Sequence, residues 1–118
     1  MLQLWLRAVH SDDLGETSPV QPERLRSAAG LAVRALKVLS NADRLLLLFE
    51  LSQGEMCVSE LEKTLDIRQP MLSQKLAALR ADGVVKTRRE GNRIFYSVVD
   101  PKVMHLLKVL YNVYFLKE

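Results

Sequence analysis

The sequence predicts a mainly α-helical domain with a β-hairpin, and three observations between Val58 and Val98 lead to that fold class. Two short helical patterns are separated by a tight turn, the second begins with polar residues, and a basic hairpin follows it. A helix that presents polar side chains at its start, after a turn of about 3–4 residues, can enter a DNA major groove. This order of elements predicts a winged helix-turn-helix.

Size and composition fit one small folded domain. The chain has 118 residues, of which 48% are hydrophobic and 26% are charged, as is ordinary for a globular protein. Residues 1–22 end in a polar, proline-containing stretch and are predicted to form a flexible tail, which leaves residues 23–118 as the domain. The sequence has no apolar run long enough for a membrane span and only one cysteine. We therefore expect a cytoplasmic protein without disulfides.

The first two helices are predicted from periodicity and a stop signal. From Glu23 to Leu39 apolar residues recur at spacings of three and four, which predicts an amphipathic helix. Asn41 or Asp43 is expected to cap the next helix. That helix, residues 44–52, is almost entirely apolar and is predicted to be the buried centre of the domain.

The motif itself is predicted to begin at Val58. Ser59 is the expected N-cap of a helix over residues 58–65, with Glu62 completing a capping box. Residues 66–69 form the turn, with Ile67 as its apolar plug. The recognition helix then runs from Pro70 to the stop signal at residues 82–83, and three leucines are predicted to face inward: Leu72, Leu76 and Leu79.

A hairpin and a final helix complete the domain. The predicted strands cover residues 84–88 and 93–98, and Gly91 and Asn92 are expected to supply the positive φ angles of the turn. Asp100 and Pro101 open a helix that is predicted to continue to Leu116. That helix is more hydrophobic than a surface helix should be.

The first and last helices carry more apolar side chains than one small domain can bury, which predicts a two-fold dimer. The expected interface residues are Leu25, Ala29, Leu106, Leu110, Tyr111 and Tyr114. A dimer of this kind places two recognition helices about one turn of DNA apart and predicts a pseudo-palindromic site.

The charge distribution points to double-stranded DNA as the partner. Residues 67–93 contain seven basic and two acidic side chains, whereas residues 43–66 contain six acidic and two basic ones. Basic residues therefore coincide with the recognition helix and the hairpin, which is the pattern of a nucleic-acid footprint. The alternative is an ordinary solvated face.

The region from LKVLSNADRLLLLFEL through LSQKLAALRADGVVKTRREGNRIFYSV to Pro101 resembles the ArsR/SmtB family of winged-helix bacterial regulators, over roughly the last 85 residues. Such proteins are typically homodimeric repressors that leave DNA when a metal or another inducer binds, or when a thiol is oxidised. The resemblance implies a DNA-binding set, of which Gln74 would read adenine and Lys75 guanine or phosphate. The full set is Arg68, Gln69, Ser73, Gln74, Lys75, Arg88, Arg89 and Arg93.

Two alternatives apply to that set. Gln69, Ser73 and Gln74 could serve only as local helix caps. Arg88 and Arg89, like Arg93, could simply be solvated rather than lie on phosphates.

The sensing residues of the family are largely missing from this chain. Cys57-Val58-Ser59 stands where metal sensors resemble Cys-Val-Cys, and His105 has no second histidine on the last helix. The QPMLSQ turn resembles a sulfur- or redox-sensing branch, but Phe49 and Phe115 align with the two cysteines of that branch. No metal site, cofactor or dithiol switch is therefore expected.

These observations predict a dimeric, sequence-specific DNA-binding transcriptional regulator, with repression implied by the resemblance. One alternative adds a redox-sensing thiol at Cys57, and a second is a winged helix that binds a protein instead of DNA. An enzyme is not expected, because the sequence offers no glycine-rich phosphate loop and no set of catalytic side chains on facing elements.

Overall fold

The computed structural model describes residues 21–116, so nearly all of the tail predicted for residues 1–22 lies outside the described residues. The described residues divide into two compact units, residues 21–32 and residues 33–116. The elements are α1 (Pro22–Leu39), α2 (Ala42–Ser52), β1 (Met56–Cys57), α3 (Val58–Leu65), α4 (Met71–Ala81), β2 (Val85–Glu90), β3 (Arg93–Val98), α5 (Pro101–Leu110) and a π-helical turn (Tyr111–Phe115). Helix, turn, helix and hairpin follow one another as predicted.

The core of the second unit is built around one face of α2. Leu47 and Leu48 are completely buried, and α2 contacts α3, α4, α5 and β3. Leu61, Leu76 and Leu107 close the core from the neighbouring helices. The helix α2 lies at the centre of the core, as predicted, although one of its faces is open and Leu46 is 40% exposed. An apolar run along a helix does not show which of its faces is covered.

The hairpin belongs to a three-stranded antiparallel sheet with the strand order β1-β3-β2. The strand β1 was not predicted, because a two-residue strand has no alternation to detect. It pairs with β3 through Met56 opposite Tyr96 and Cys57 opposite Phe95. At the hairpin turn Gly91 has a φ of 64°, as predicted, but Asn92 does not share the positive φ.

Capping side chains fix the starts of three helices. Asn41 Oδ1 accepts the Arg44 N–H of α2 at 3.0 Å, and Asp100 accepts from the first turn of α5. The predicted cap of α3 is wrong. Cys57, rather than Ser59, is its N-cap residue, and the Cys57 N–H donates to Glu60 Oε1 at 2.9 Å.

The last helix does not continue regularly to Leu116. Its α-helical part ends at Leu110, and five residues then form the π-helical turn. Two aromatic residues of this turn, Tyr111 and Phe115, lie close to Phe49 of α2. Among residues 21–116, no helix combines the length and the apolar character that crossing a membrane would require.

Candidate nucleic-acid interface

The recognition helix α4 has one completely buried face and one exposed polar face. Leu72, Leu76 and Leu79 have no accessible surface, which confirms the predicted inward positions. Ile67 is 6% exposed and fills the turn before the helix, where Asp66 adopts a left-handed φ of 56°. Because this packing fixes the helix, the exposed residues on its other face have a defined direction.

Two of the predicted DNA contacts also cap α4. Gln69 Oε1 accepts the Ser73 backbone N–H at 3.1 Å and the Ser73 hydroxyl at 2.6 Å. Local capping, the alternative considered for these residues, is therefore present. The side-chain amide of Gln69 keeps its N–H donors for an external acceptor. Gln74 is exposed, and its side chain forms no hydrogen bond with any described residue.

Lys75 is tied to the start of α2 instead of extending into solvent. Its Nζ donates to Asn41 Oδ1 at 3.1 Å, and the residue is half-buried. The same oxygen accepts the Arg44 N–H, so a single asparagine connects the α2 cap with the recognition helix. The two residues are 34 positions apart, and no local pattern in the sequence could have indicated this contact.

The arginines of the hairpin differ in their surroundings. Arg89 and Arg93 are exposed and form no ion pair with a described residue; the Arg89 Nε–H donates only to the Gly91 carbonyl, at 3.1 Å. Arg88, in contrast, is paired with Glu55 and Glu90. Arg68, in the turn before α4, is also exposed.

The positions considered for sensing hold an aromatic cluster and a buried thiol. The rings of Phe49 and Phe115 lie edge to face with centroids 4.8 Å apart, and Tyr111 stacks on Phe115 at 5.7 Å. Beside them is a cavity of about 510 Å³ between α2 and the last helix. Cys57 is 3% exposed, and its Sγ lies 3.3 Å from Ser59 Oγ.

Among the described residues, no group of three or more His, Cys, Asp or Glu side chains is arranged to hold a metal ion. His105 is exposed on α5.

The predicted dimer residues differ in exposure. Tyr114 is 76% exposed and Tyr111 is 45% exposed, whereas Leu106 and Leu110 are half-buried against the core. Leu25 is half-buried and Ala29 is exposed on α1. Leu36 and Val113 are not among the expected interface residues, although more than half of the surface of each side chain is exposed.

Comparison with known proteins decides the family. Residues 41–87 match the family described as bacterial regulatory protein, arsR family. A biofilm growth-associated repressor of Agrobacterium fabrum is 45% identical over 103 residues, which cover 86% of this chain and 85% of that protein. The chain belongs to the arsR family.

Other members of the arsR family show the same fold and differ in the direction of regulation. The crystal structure of the transcriptional repressor BigR from Xylella fastidiosa matches with a TM-score of 0.77 and 38% identity, covering 83% of this chain and all of that one. A protein of Vibrio cholerae named transcriptional activator HlyU is 35% identical over 82% of this chain and 90% of its own length. These proteins confirm the winged helix-turn-helix fold and are named as transcriptional regulators.

Proposed function

We propose that this protein is a homodimeric, sequence-specific DNA-binding repressor of a pseudo-palindromic operator. The observation that carries the proposal is the division of α4 into a completely buried leucine face and an exposed face with Gln74. A helix fixed in this way can present a side-chain amide to base edges in the major groove, where glutamine pairs well with adenine.

The exposed arginines supply the contacts that do not depend on sequence. Arg89 and Arg93 on the hairpin, and Arg68 before α4, form no ion pair with a described residue. Phosphate contacts of this kind fix the register of a protein on DNA, while base contacts specify the sequence. Gln69 and Ser73 would then serve first to cap α4 and second to lie close to the DNA backbone.

The direction of regulation is proposed from the relatives. The matched proteins of Agrobacterium fabrum and Xylella fastidiosa are named repressors, whereas the matched protein of Vibrio cholerae is named an activator. Repression is proposed because the repressor names accompany the higher identities among these three.

A dithiol switch forms no part of the proposal. Phe49 and Phe115 are near neighbours at the positions aligned with the cysteine pair, and two phenyl rings cannot form a disulfide. A redox role for Cys57 finds little support, because the thiol is almost completely buried and oxidants act on accessible thiolates.

The test is a salt titration of binding to DNA from the region upstream of the protein's own gene, with random duplex as the reference. Arg89→Ala should flatten the dependence of log affinity on log salt by about 1.8 on every sequence, because the dimer loses two phosphate contacts, one from each protomer. Gln74→Ala should cost about 1–3 kcal/mol for each half-site of the operator and little on random duplex. Lys102→Ala, which removes an exposed positive charge outside α4 and the hairpin, is the matched control.

Wild-type protein that shows no preference for the upstream DNA or for any selected sequence over random duplex would contradict the proposal. Binding that survives at high salt and needs a protein partner would instead favour the protein-interaction alternative.

A further inference from the structure

We infer that the Glu55 carboxylate binds the Arg88 guanidinium where a DNA phosphate would otherwise bind. Arg88 therefore positions the hairpin and does not contact the DNA backbone. This inference rests on the proposed function. It separates Arg88 from Arg89 and Arg93, although sequence reasoning assigns the three arginines the same role.

The contact between Arg88 and Glu55 has the fork geometry by which arginine binds phosphate or carboxylate. The Arg88 Nε–H lies 3.2 Å from both carboxylate oxygens of Glu55, and Nη2 lies 2.5 Å from Oε1. The remaining nitrogen, Nη1, donates to Glu90 Oε1 at 2.8 Å. Each nitrogen of the guanidinium therefore already has a carboxylate acceptor, and the preferred edge for an oxyanion is taken.

The Arg88 guanidinium also contacts an aromatic ring on the neighbouring strand. Its carbon lies 4.8 Å from the centroid of the Phe95 ring, which is a cation–π arrangement. Phe95 on β3 is the register partner of Arg88 on β2 and of Cys57 on β1. Glu55 directly precedes β1, so this cluster joins the hairpin to the segment that leads into α3.

Charge opposes a direct contact between this cluster and phosphate. Arg88 faces two carboxylates, so the three side chains together carry a net negative charge. The hydrogen bond from Arg88 lowers the pKa of Glu55 below its ordinary value and so favours the ionised carboxylate. If Arg88 turned towards a phosphate, Glu55 would lose its partner and would face the DNA as an uncompensated anion.

The two acidic partners bind the guanidinium through different numbers of contacts. Glu55, which is 39% exposed, makes three of the four contacts and comes from outside the hairpin, whereas Glu90, which is 66% exposed, makes one contact from the same strand. An exposed ion pair with a single contact contributes little and yields readily to a phosphate, whereas the two-nitrogen contact with Glu55 has a fixed geometry. Glu55 is therefore the residue that determines whether Arg88 can bind a DNA phosphate.

The experiment compares the salt dependence of duplex binding for neighbouring arginines. Arg88→Gln should leave the slope of log affinity against log salt unchanged, even if a looser hairpin lowers the affinity itself. Arg89→Gln should flatten the slope by about 1.8, about 0.9 for the contact of each protomer. Glu55→Gln should steepen the slope by about 1.8, because both protomers release Arg88, so that affinity falls about 12-fold more between 50 and 200 mM salt than it does in the wild type.

The double variant Glu55→Gln/Arg88→Gln should return the slope to the wild-type value, because the guanidinium released by the first change is absent. Glu62→Gln is the matched control, since it removes a carboxylate of α3 that forms no ion pair with a described residue. Thermal unfolding of each variant shows that the slopes refer to folded protein.

An equal loss of slope in Arg88→Gln and Arg89→Gln would overturn the inference, as would an unchanged slope in Glu55→Gln. Either result can be interpreted only if the wild-type protein binds duplex with a clear salt dependence. Absence of that binding would contradict the proposed function instead, so the two failures are distinguishable.

Discussion

The Glu60 carboxylate and the Cys57 backbone N–H set the start of α3 at the residue scale, and their hydrogen bond makes it sensitive to pH. Glu60 accepts the Cys57 N–H, and this hydrogen bond lowers the pKa of Glu60 below its ordinary value of 4.5. A carboxyl whose pKa is lowered on folding stabilises the protein above its unfolded pKa. That contribution is lost as the pH falls through the folded value.

Wild-type protein should therefore have a larger free energy of unfolding than Glu60→Gln at pH 7, and the difference should vanish in acid below the lowered pKa of Glu60. Glutamine keeps the acceptor oxygen but cannot titrate, so the comparison isolates the charge. Urea unfolding of both proteins at several pH values measures the difference. Glu62→Gln is the control, and an equal pH-dependent difference in that variant would contradict the assignment to the cap.

The position of this cap shows what local sequence leaves undecided. Ser59 with Glu62 and Cys57 with Glu60 have the same spacing of three residues, and the hydroxyl favours the first pair by propensity. Pairing of Cys57 with Phe95 in the sheet holds Cys57 in an extended conformation, so α3 begins directly after it, at Val58. The strand pairing of Cys57 therefore determines which of the two possible capping pairs begins α3.

Phe49 connects α2 to the end of the chain at the scale of secondary-structure elements. Its ring lies 4.8 Å from that of Phe115 and 6.3 Å from that of Tyr111, measured between centroids. Phe49→Ala should lower the free energy of unfolding by about 2–3 kcal/mol, below the range for a fully buried phenylalanine because Phe49 is only partly buried.

Urea unfolding followed by far-UV circular dichroism measures this loss. Leu46→Ala is the matched control on the same helix; its side chain is 40% exposed, so its loss should be below about 1 kcal/mol. Equal losses in the two variants would show that the aromatic contacts add nothing to the stability of α2.

Elements with strong periodicity could be predicted from the sequence, and elements set by distant contacts could not. The leucines of α4 and the plug at Ile67 follow from spacing alone, because one helix face must be covered. The strand β1, the Lys75–Asn41 hydrogen bond and the Glu55–Arg88 fork depend on residues more than thirty positions apart. Charge counting identified a basic hairpin but could not separate paired from unpaired arginines.

At the scale of the whole molecule, several large apolar side chains of α1 and the terminal turn are exposed among residues 21–116. Leu36 on α1 is 57% exposed, and Val113 and Tyr114 on the terminal turn are 64% and 76% exposed. Exposed apolar patches that are continuous along helices commonly mark protein contacts. Val113→Glu should therefore convert the proposed dimer to a monomer, as measured by sedimentation equilibrium at several protein concentrations.

Asn112→Asp is the matched control, because it adds the same charge one residue earlier at a side chain that lines the cavity with Ser52 and Gln53 of its own protomer. It should leave the dimer intact. A Val113→Glu variant that sediments as the wild type does would place the dimer contact elsewhere or argue against a dimer.

Dimer formation and DNA binding should fail together, because an operator with two half-sites requires two linked recognition helices. A monomeric Val113→Glu variant makes half of the phosphate contacts, so its salt slope on the operator should fall to about half of the wild-type value. Arg89→Ala, in contrast, should remain a dimer and lose only its own two contacts, one from each protomer. Full operator affinity in a protein shown to be monomeric would contradict a two-fold binding mode, even if Gln74 still determined the sequence that is bound.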